Sequence, residues 1–152
     1  MAWRHKLRAV AWWGSADKGL AKSDSALSVI HFAAPMELRG TQGQWSPEEL
    51  LLAALASSLT TTFHFLAAAR SLQYTDLEVE TEVCEPEPKA GKESCFDEMT
   101  VRPKVMVPCQ EDRGPALELL RKALALCPVS QALSVKLKFE AQVEVSQLSL
   151  VG

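Results

Sequence analysis

The sequence predicts an α+β fold in which antiparallel sheets pack around one long buried central helix. Three observations predict it. Residues 46–70 form a capped, almost wholly apolar helix. Residues 76–84 and 135–145 alternate apolar and polar side chains with period two. The predicted elements run strands, buried helix, two strands, helix, strand, which is not the strict alternation of a doubly wound sheet. The 152 residues fit one domain, residues 1–152, of the size of a single subunit of an obligate dimer. A composition 47% hydrophobic and 23% charged supplies an ordinary soluble core. The net charge of −3, with basic residues scattered, offers no phosphate-binding face and argues against nucleic acid as a partner.

The N-terminal region reads as a meander of about three antiparallel strands. Residues 5–13, rich in tryptophan and valine, form the first. Gly14, Ser15, Asp17, Lys18 and Gly19 give residues 14–25 turn chemistry. Residues 27–32 read as a strand and residues 34–39 as another. No secretory signal is read in residues 1–13, where no apolar run is long enough.

The run Ser46-Pro47-Glu48-Glu49 carries the strongest local signal. Serine is a preferred N-cap, proline a preferred first helical residue, and glutamate three positions after the serine completes a capping box. The helix to about Arg70 is apolar or small on nearly every side, so it must be enclosed by two layers or by a partner chain. Its segment 50–69 is long enough to resemble a membrane span. Ser57, Ser58, Thr60, Thr61, Thr62 and His64 within it favour a helix buried in protein, and no membrane association is expected.

In residues 76–84, Leu77, Val79, Thr81 and Val83 face one way and Glu78, Glu80 and Glu82 the other. Prolines, a glycine and charges make residues 85–96 a loop. Residues 99–107 form a strand in which Pro103 marks an edge or a bulge. Residues 114–126 form an amphipathic helix with Leu117, Leu119, Leu120, Ala123 and Leu124 as its apolar stripe. Pro128 interrupts it, and a short helical piece continues to Leu133. The alternating strand 135–145 closes the chain.

Two segments resemble one family. Ser46-Pro47-Glu48-Glu49-Leu50, leading into a small-residue helix, resembles the Asn-Pro-Glu-Glu-Leu helix start of the OsmC/Ohr proteins. Cys127-Pro128-Val129-Ser130-Gln131-Ala132-Leu133, leading into an alternating strand, resembles the second cysteine motif of that family. The likeness spans residues 35–146. It implies an intertwined α+β homodimer and a thiol peroxidase. In that chemistry a helix cysteine attacks a hydroperoxide and becomes a sulfenic acid, which the Cys-Pro cysteine captures as a disulfide. A glutamate and an arginine tune the attacking thiolate. Carried over by position, the glutamate is Glu48 and the resolving cysteine is Cys127. The arginine falls on Arg39, with Arg4 and Arg8 as alternatives.

The attacking cysteine would stand ten residues after Glu48, where this chain has Ser58. A serine hydroxyl has no accessible anion near neutral pH and forms no stable sulfenic acid, so the two-cysteine cycle cannot start there. Helix geometry adds a constraint. Ten residues rise about 15 Å, so Glu48 and Ser58 of one helix cannot touch. A site that uses both must take Glu48 from a second subunit. Read without the family, Glu48 is a first-turn acid favoured by the helix dipole.

Other residues give weaker signals. Cys127 precedes Pro128 and falls at the N-cap of the short helical piece, a setting that favours the thiolate; a buried inert cysteine is the alternative. Ser58 as a hydrolytic nucleophile lacks both a nearby base and a G-x-S-x-G elbow. The hydroxyls of residues 57–62 read as small groups bonded to the preceding turn. His5, His31 and His64 read as structural. Trp45 is either a staple against the helix or a wall of an apolar pocket. Cys84, Cys95, Cys109 and Cys127 include no C-x-x-C pair and no neighbouring histidine at zinc spacing. No metal and no cofactor are therefore expected, and the thiols are expected to be free in a reducing cytoplasm.

The reading is an OsmC/Ohr-like stress protein whose standard peroxidase activity is weak or absent. The alternatives are a one-cysteine redox enzyme acting through Cys127 and a non-catalytic module that binds an apolar ligand or organic hydroperoxide at the dimer interface.

Overall fold

The structure, a computed structural model, describes residues 6–14, 17–84 and 96–147. The chain divides into two compact units, Met1–Leu51 and Leu52–Gly152.

The first unit carries a three-stranded antiparallel sheet in the order β1 (Ala9–Trp13), β2 (Gly19–Ser23), β3 (Ile30–Phe32). The three-strand meander is there, but its middle strand lies where turn chemistry was read. Gly19 pairs with Phe32, and the Phe32 ring covers it so closely that a Cβ there would stand 2.2 Å from the ring. The glycine that looks like a turn residue is a strand residue making room for an aromatic. Residues 34–39 are not a strand. Pro35 leads into a 3-10 turn, Met36–Leu38, and Arg39 ends it in the left-handed region with φ 62°. The missing N–H of Pro35 and the left-handed backbone of Arg39 both oppose a paired strand.

The first turn of α1 (Pro47–Ala69) closes this unit. The capping box forms in full: the Glu49 amide donates to Ser46 Oγ at 3.1 Å and the Ser46 amide donates to Glu49 Oε2 at 2.8 Å.

The second unit holds the rest of α1, then β4 (Asp76–Val83), β5 (Glu98–Val107), α2 (Arg113–Leu126), α3 (Pro128–Ala132), β6 (Lys136–Phe139) and β7 (Gln142–Val145). The predicted faces of β4 hold: Leu77, Val79, Thr81 and Val83 are half-buried and the glutamates exposed. On α1, Leu55, Leu59, Phe63 and Ala67 recur every fourth residue and are buried. On α2 the buried residues are Ala116, Leu119, Leu120 and Ala123, close to the predicted stripe. With Met99, Val101, Val105 and Val107 of β5 they make up the core of this unit. The 85–96 loop reading lies, to residue 95, outside the described residues.

The second sheet is mixed. β4 pairs antiparallel with β5, whereas β6 and β7 pair parallel to β5, because the α2–α3 crossover returns the chain in the same direction. β5 is therefore the central strand, and Pro103 lies in its interior instead of at an edge. Its missing N–H leaves a gap in the ladder on one side. Glu140 and Ser146 donate to the carbonyls of Val101 and Val107, so the odd-numbered backbone groups of β5 face β6 and β7. Pro103 is odd-numbered, and the predicted single strand 135–145 breaks into two at Glu140–Ala141, opposite Arg102 and Pro103. The register stays the same on either side of the break: Val101 faces Phe139 and Lys104 faces Gln142. Arg102 bridges the break from the outer face. It bonds Glu140 Oε2 at 2.9 Å and Glu80 Oε1 at 2.9 Å, with Glu82 Oε2 at 3.3 Å.

Candidate functional site

Ser58 belongs to a run of helix hydroxyls, most of which bond backwards as expected. Ser57 Oγ donates to the Ala54 carbonyl, Thr60 and Thr61 donate to the Ser57 carbonyl, and Thr62 donates to the Ser58 carbonyl, at 2.8–3.1 Å. Ser58 Oγ instead accepts from the Cys127 thiol at 2.9 Å. Residues 69 apart in sequence thus meet side chain to side chain.

Cys127 reaches Ser58 because of Pro128. The residue before a proline is pushed out of the helical region, and Cys127 has φ −59°, ψ 120°. α2 therefore ends, α3 begins at a corner, and Cys127 is the N-cap of α3. No side-chain cap hydrogen bond forms there, because the sulfur points at Ser58. Cys127 is completely buried and carries no disulfide, while Cys84 and Cys109 are exposed free thiols and Cys95 lies outside the described residues.

The two sides of this contact are chemically unequal. A thiol can be oxidised or alkylated; a hydroxyl can only accept or donate a hydrogen bond under the same conditions. Among the described residues no group of three or more His, Cys, Asp or Glu side chains could hold a metal ion.

Glu48, Arg39, Arg8 and Trp45 belong to the first unit, whereas Ser58 and Cys127 belong to the second. Glu48 sits in the first turn of α1, with Oε2 buried and without a hydrogen-bond partner among the described residues. Arg39 is exposed and forms no ion pair among the described residues, so it is not joined to Glu48. Arg8 pairs loosely with Asp24 at 3.8 Å, and Arg4 lies outside the described residues. Trp45 is half exposed and bonded through its backbone, its carbonyl accepting from the Ala33 amide at 2.9 Å. His64 accepts or donates a 2.7 Å hydrogen bond with the Tyr74 hydroxyl. A cavity of about 930 Å³ lies elsewhere, between α2 and β7; it is lined by Arg113, Leu117, Val143 and Val145 among others, and neither Ser58 nor Cys127 reaches it.

Sequence reasoning passed over Ser130 and Gln131. Ser130 Oγ lies 2.5 Å from the Leu124 carbonyl and 2.8 Å from the Cys127 carbonyl, and Gln131 Nε2 donates to the Ala125 carbonyl at 2.8 Å. The signal was present: a proline at 128 removes the N–H that would serve the carbonyl four residues earlier, at 124.

An α+β chain with a long apolar helix and a Cys-Pro corner facing that helix defines the class. The family model for OsmC-like protein matches residues 40–142, and the chain belongs to the OsmC-like family. Solved structures of the same fold include an OsmC-like protein of unknown function from Vibrio cholerae (TM-score 0.79, 16% identity, covering 91% of this chain and 99% of that one). The OsmC-like protein of Mycoplasma pneumoniae is similar at TM-score 0.76 and 19% identity, over 93% and 97% of the two chains. An organic hydroperoxide resistance protein from Legionella pneumophila matches at TM-score 0.71 and 22% identity, over 93% and 98%. No curated protein matches at the sequence level.

Proposed function

We propose that this protein is a cytoplasmic, homodimeric, single-domain relative of the thiol-dependent hydroperoxide reductases whose own peroxidase activity is weak or absent. One observation carries the reading: a hydroxyl, Ser58 Oγ, faces the Cys127 thiol at 2.9 Å, where the motif match expects a second sulfur. In the two-cysteine reaction a thiolate attacks the peroxide oxygen, an alcohol leaves, and the sulfenic sulfur is then attacked by the second thiol with loss of water. Ser58 can do neither step. Cys127 keeps the resolving position with nothing to resolve.

The dimer is supported by surface that one chain leaves open. α1 is long and apolar enough to span a membrane by length and composition alone, with mean hydropathy 1.6 over 18 residues, yet only 22% of that window is buried within the chain. Phe65 on it is 67% exposed. In the first unit, Trp12, Trp13 and Ile30 on the three-stranded sheet are also exposed. A second copy would cover such surfaces without lipid. It would also bring the partner subunit's Glu48 towards Ser58, which Glu48 of the same helix cannot reach, with Arg39 or Arg8 as the cation of that site.

Complete burial of Cys127 favours one alternative, a non-catalytic module that holds an apolar ligand or organic hydroperoxide, over a one-cysteine enzyme. Consumption of an organic hydroperoxide in the presence of a dithiol tests the reading. The expected result is negligible turnover by the natural protein and clear turnover by Ser58→Cys. Natural turnover abolished by Cys127→Ala would establish the one-cysteine enzyme instead. A folded but inert Ser58→Cys protein would show that the rest of the peroxidase site is not intact. Sedimentation as a 16.7 kDa monomer would remove the dimer.

A further inference from the structure

We propose that Ser130 and Gln131 are positioning residues for the Cys127 thiol: their side chains replace the backbone donors lost at Pro128 and so hold the corner that presents the sulfur to position 58. The inference rests on the reading of Cys127 as the surviving thiol of a redox site. In the last turn of α2, the Ala123 carbonyl keeps its helical donor, the Cys127 amide at 2.8 Å. The Leu124 carbonyl would take the N–H of residue 128, which proline lacks. The Ala125 carbonyl would take that of Val129, but the chain has already turned at Cys127. The carbonyls of Leu124, Ala125 and Leu126 are left without their helical donors, and unpaired carbonyls at a helix end normally draw the chain or the solvent into a new arrangement.

Those of Leu124 and Ala125 are served from α3. The Ser130 hydroxyl is shared between the carbonyls of Leu124 and Cys127, and the Gln131 carboxamide donates to that of Ala125 at 2.8 Å. The Gln131 amide in turn donates to the Cys127 carbonyl at 3.1 Å. Cys127 is therefore tied on both sides of its Cα: its amide to α2, its carbonyl to α3. With its backbone fixed at both ends, Cys127 keeps only the rotation of its own side chain, and its sulfur points at Ser58. Ser130 is itself buried, as a group that anchors a corner should be, while Gln131 is exposed and makes its bond along the surface. The residues after the proline in Cys-Pro-Val-Ser-Gln are thus a donor set matched to the break the proline makes.

The test uses the introduced thiol of Ser58→Cys as a reporter of where Cys127 points, in a chain with Cys84→Ser, Cys95→Ser and Cys109→Ser. The disulfide between the introduced thiol and Cys127 is equilibrated against glutathione, which gives the effective concentration of one thiol at the other. Ser130→Ala and Gln131→Met, which keep the approximate shape and remove the donors, are each expected to lower that concentration by ~10-fold. Ser130→Thr, which keeps a hydroxyl, restores it. A merely structural role would lower the thermal midpoint without moving the thiol equilibrium of the folded fraction. Gln131 is on the surface, so Gln131→Met keeps the test decisive if Ser130→Ala does not fold. An unchanged equilibrium in Gln131→Met, or in a folded Ser130→Ala, overturns the proposal and leaves the functional reading standing. A parent that forms the disulfide but consumes no hydroperoxide sinks the functional reading alone. A parent that forms no disulfide removes the placement of Cys127 and the proposal with it.

Discussion

The Cys127 thiol and the Ser58 hydroxyl stand 2.9 Å apart, and a disulfide is about 2.05 Å long. A sulfur at position 58 would reach further from its Cβ than the hydroxyl oxygen does, so the gap to a covalent bond closes with little movement of either backbone. Oxidised Ser58→Cys is therefore expected to lose two titratable thiols without refolding. The bond would close a loop of 69 residues' separation, which the chain-entropy account values at up to about 4 kcal/mol. Urea unfolding of oxidised against reduced protein measures the difference. A gain near zero would mean that the two backbones must move to meet.

The capping box makes the start of α1 a separate, local test. Ser46 and Glu49 exchange two hydrogen bonds, and Ser46 is buried. Ser46→Ala is expected to cost about 1 kcal/mol, read as a lower denaturation midpoint. Glu49→Gln keeps an acceptor for the Ser46 amide and is expected to cost less. A loss confined to Glu49→Gln, with Ser46→Ala unchanged, would mean that the carboxylate charge at the helix N-terminus, not the reciprocal bonding, holds this end.

These local features are the ones the sequence made legible. The start of α1 and the faces of β4 were readable because each is written in a few adjacent residues, whereas Ser58 opposite Cys127, 69 residues away, was implied only by the family resemblance. β2 was not readable, since Gly19 looks like a turn until the Phe32 ring is placed over it. The interior position of Pro103 was not, because strand order depends on the α2–α3 crossover. Motif position could suggest only that Glu48 and an arginine, Arg39 first, tune one thiolate; Arg39 is exposed, left-handed and without an ion pair among the described residues. Contacts made by side chains across a helix break, such as Ser130 to Leu124, lie beyond any periodicity argument.

Pro103 supplies the next expectation. Pro103→Val places an N–H where the parallel ladder offers the Glu140 carbonyl, while Val keeps a branched apolar group in a fully buried position. β6 and β7 should then join into one strand. The measurement is amide exchange: a newly protected amide at position 103 and slower exchange at residues 140–142. If the new amide exchanges as fast as a loop amide, the break at Glu140–Ala141 is held by something other than the proline, with Arg102 on Glu140 the first group to test.

The two exposed thiols, Cys84 and Cys109, should differ in reactivity. The Cys109 thiol donates to Asp112 Oδ2 at 2.9 Å, and this bond to the carboxylate, aided by desolvation, raises its pKa above the ordinary thiol value. The thiolate is the reacting form. At a pH just below the ordinary thiol range, Cys109 should therefore react more slowly than Cys84 with a small disulfide reagent, and Asp112→Asn should speed it. The same shift sets the sign for folding. A thiol whose pKa is raised in the folded state favours folding fully below its unfolded pKa, and that contribution disappears as the pH rises through the folded value. Asp112→Asn should thus lessen the loss of stability in alkaline solution while increasing modification at Cys109. Site-resolved alkylation by mass spectrometry checks the first effect and denaturation midpoints across alkaline pH check the second. If Cys109 reacts as fast as Cys84 in the natural protein, the hydrogen bond to Asp112 does not persist in solution.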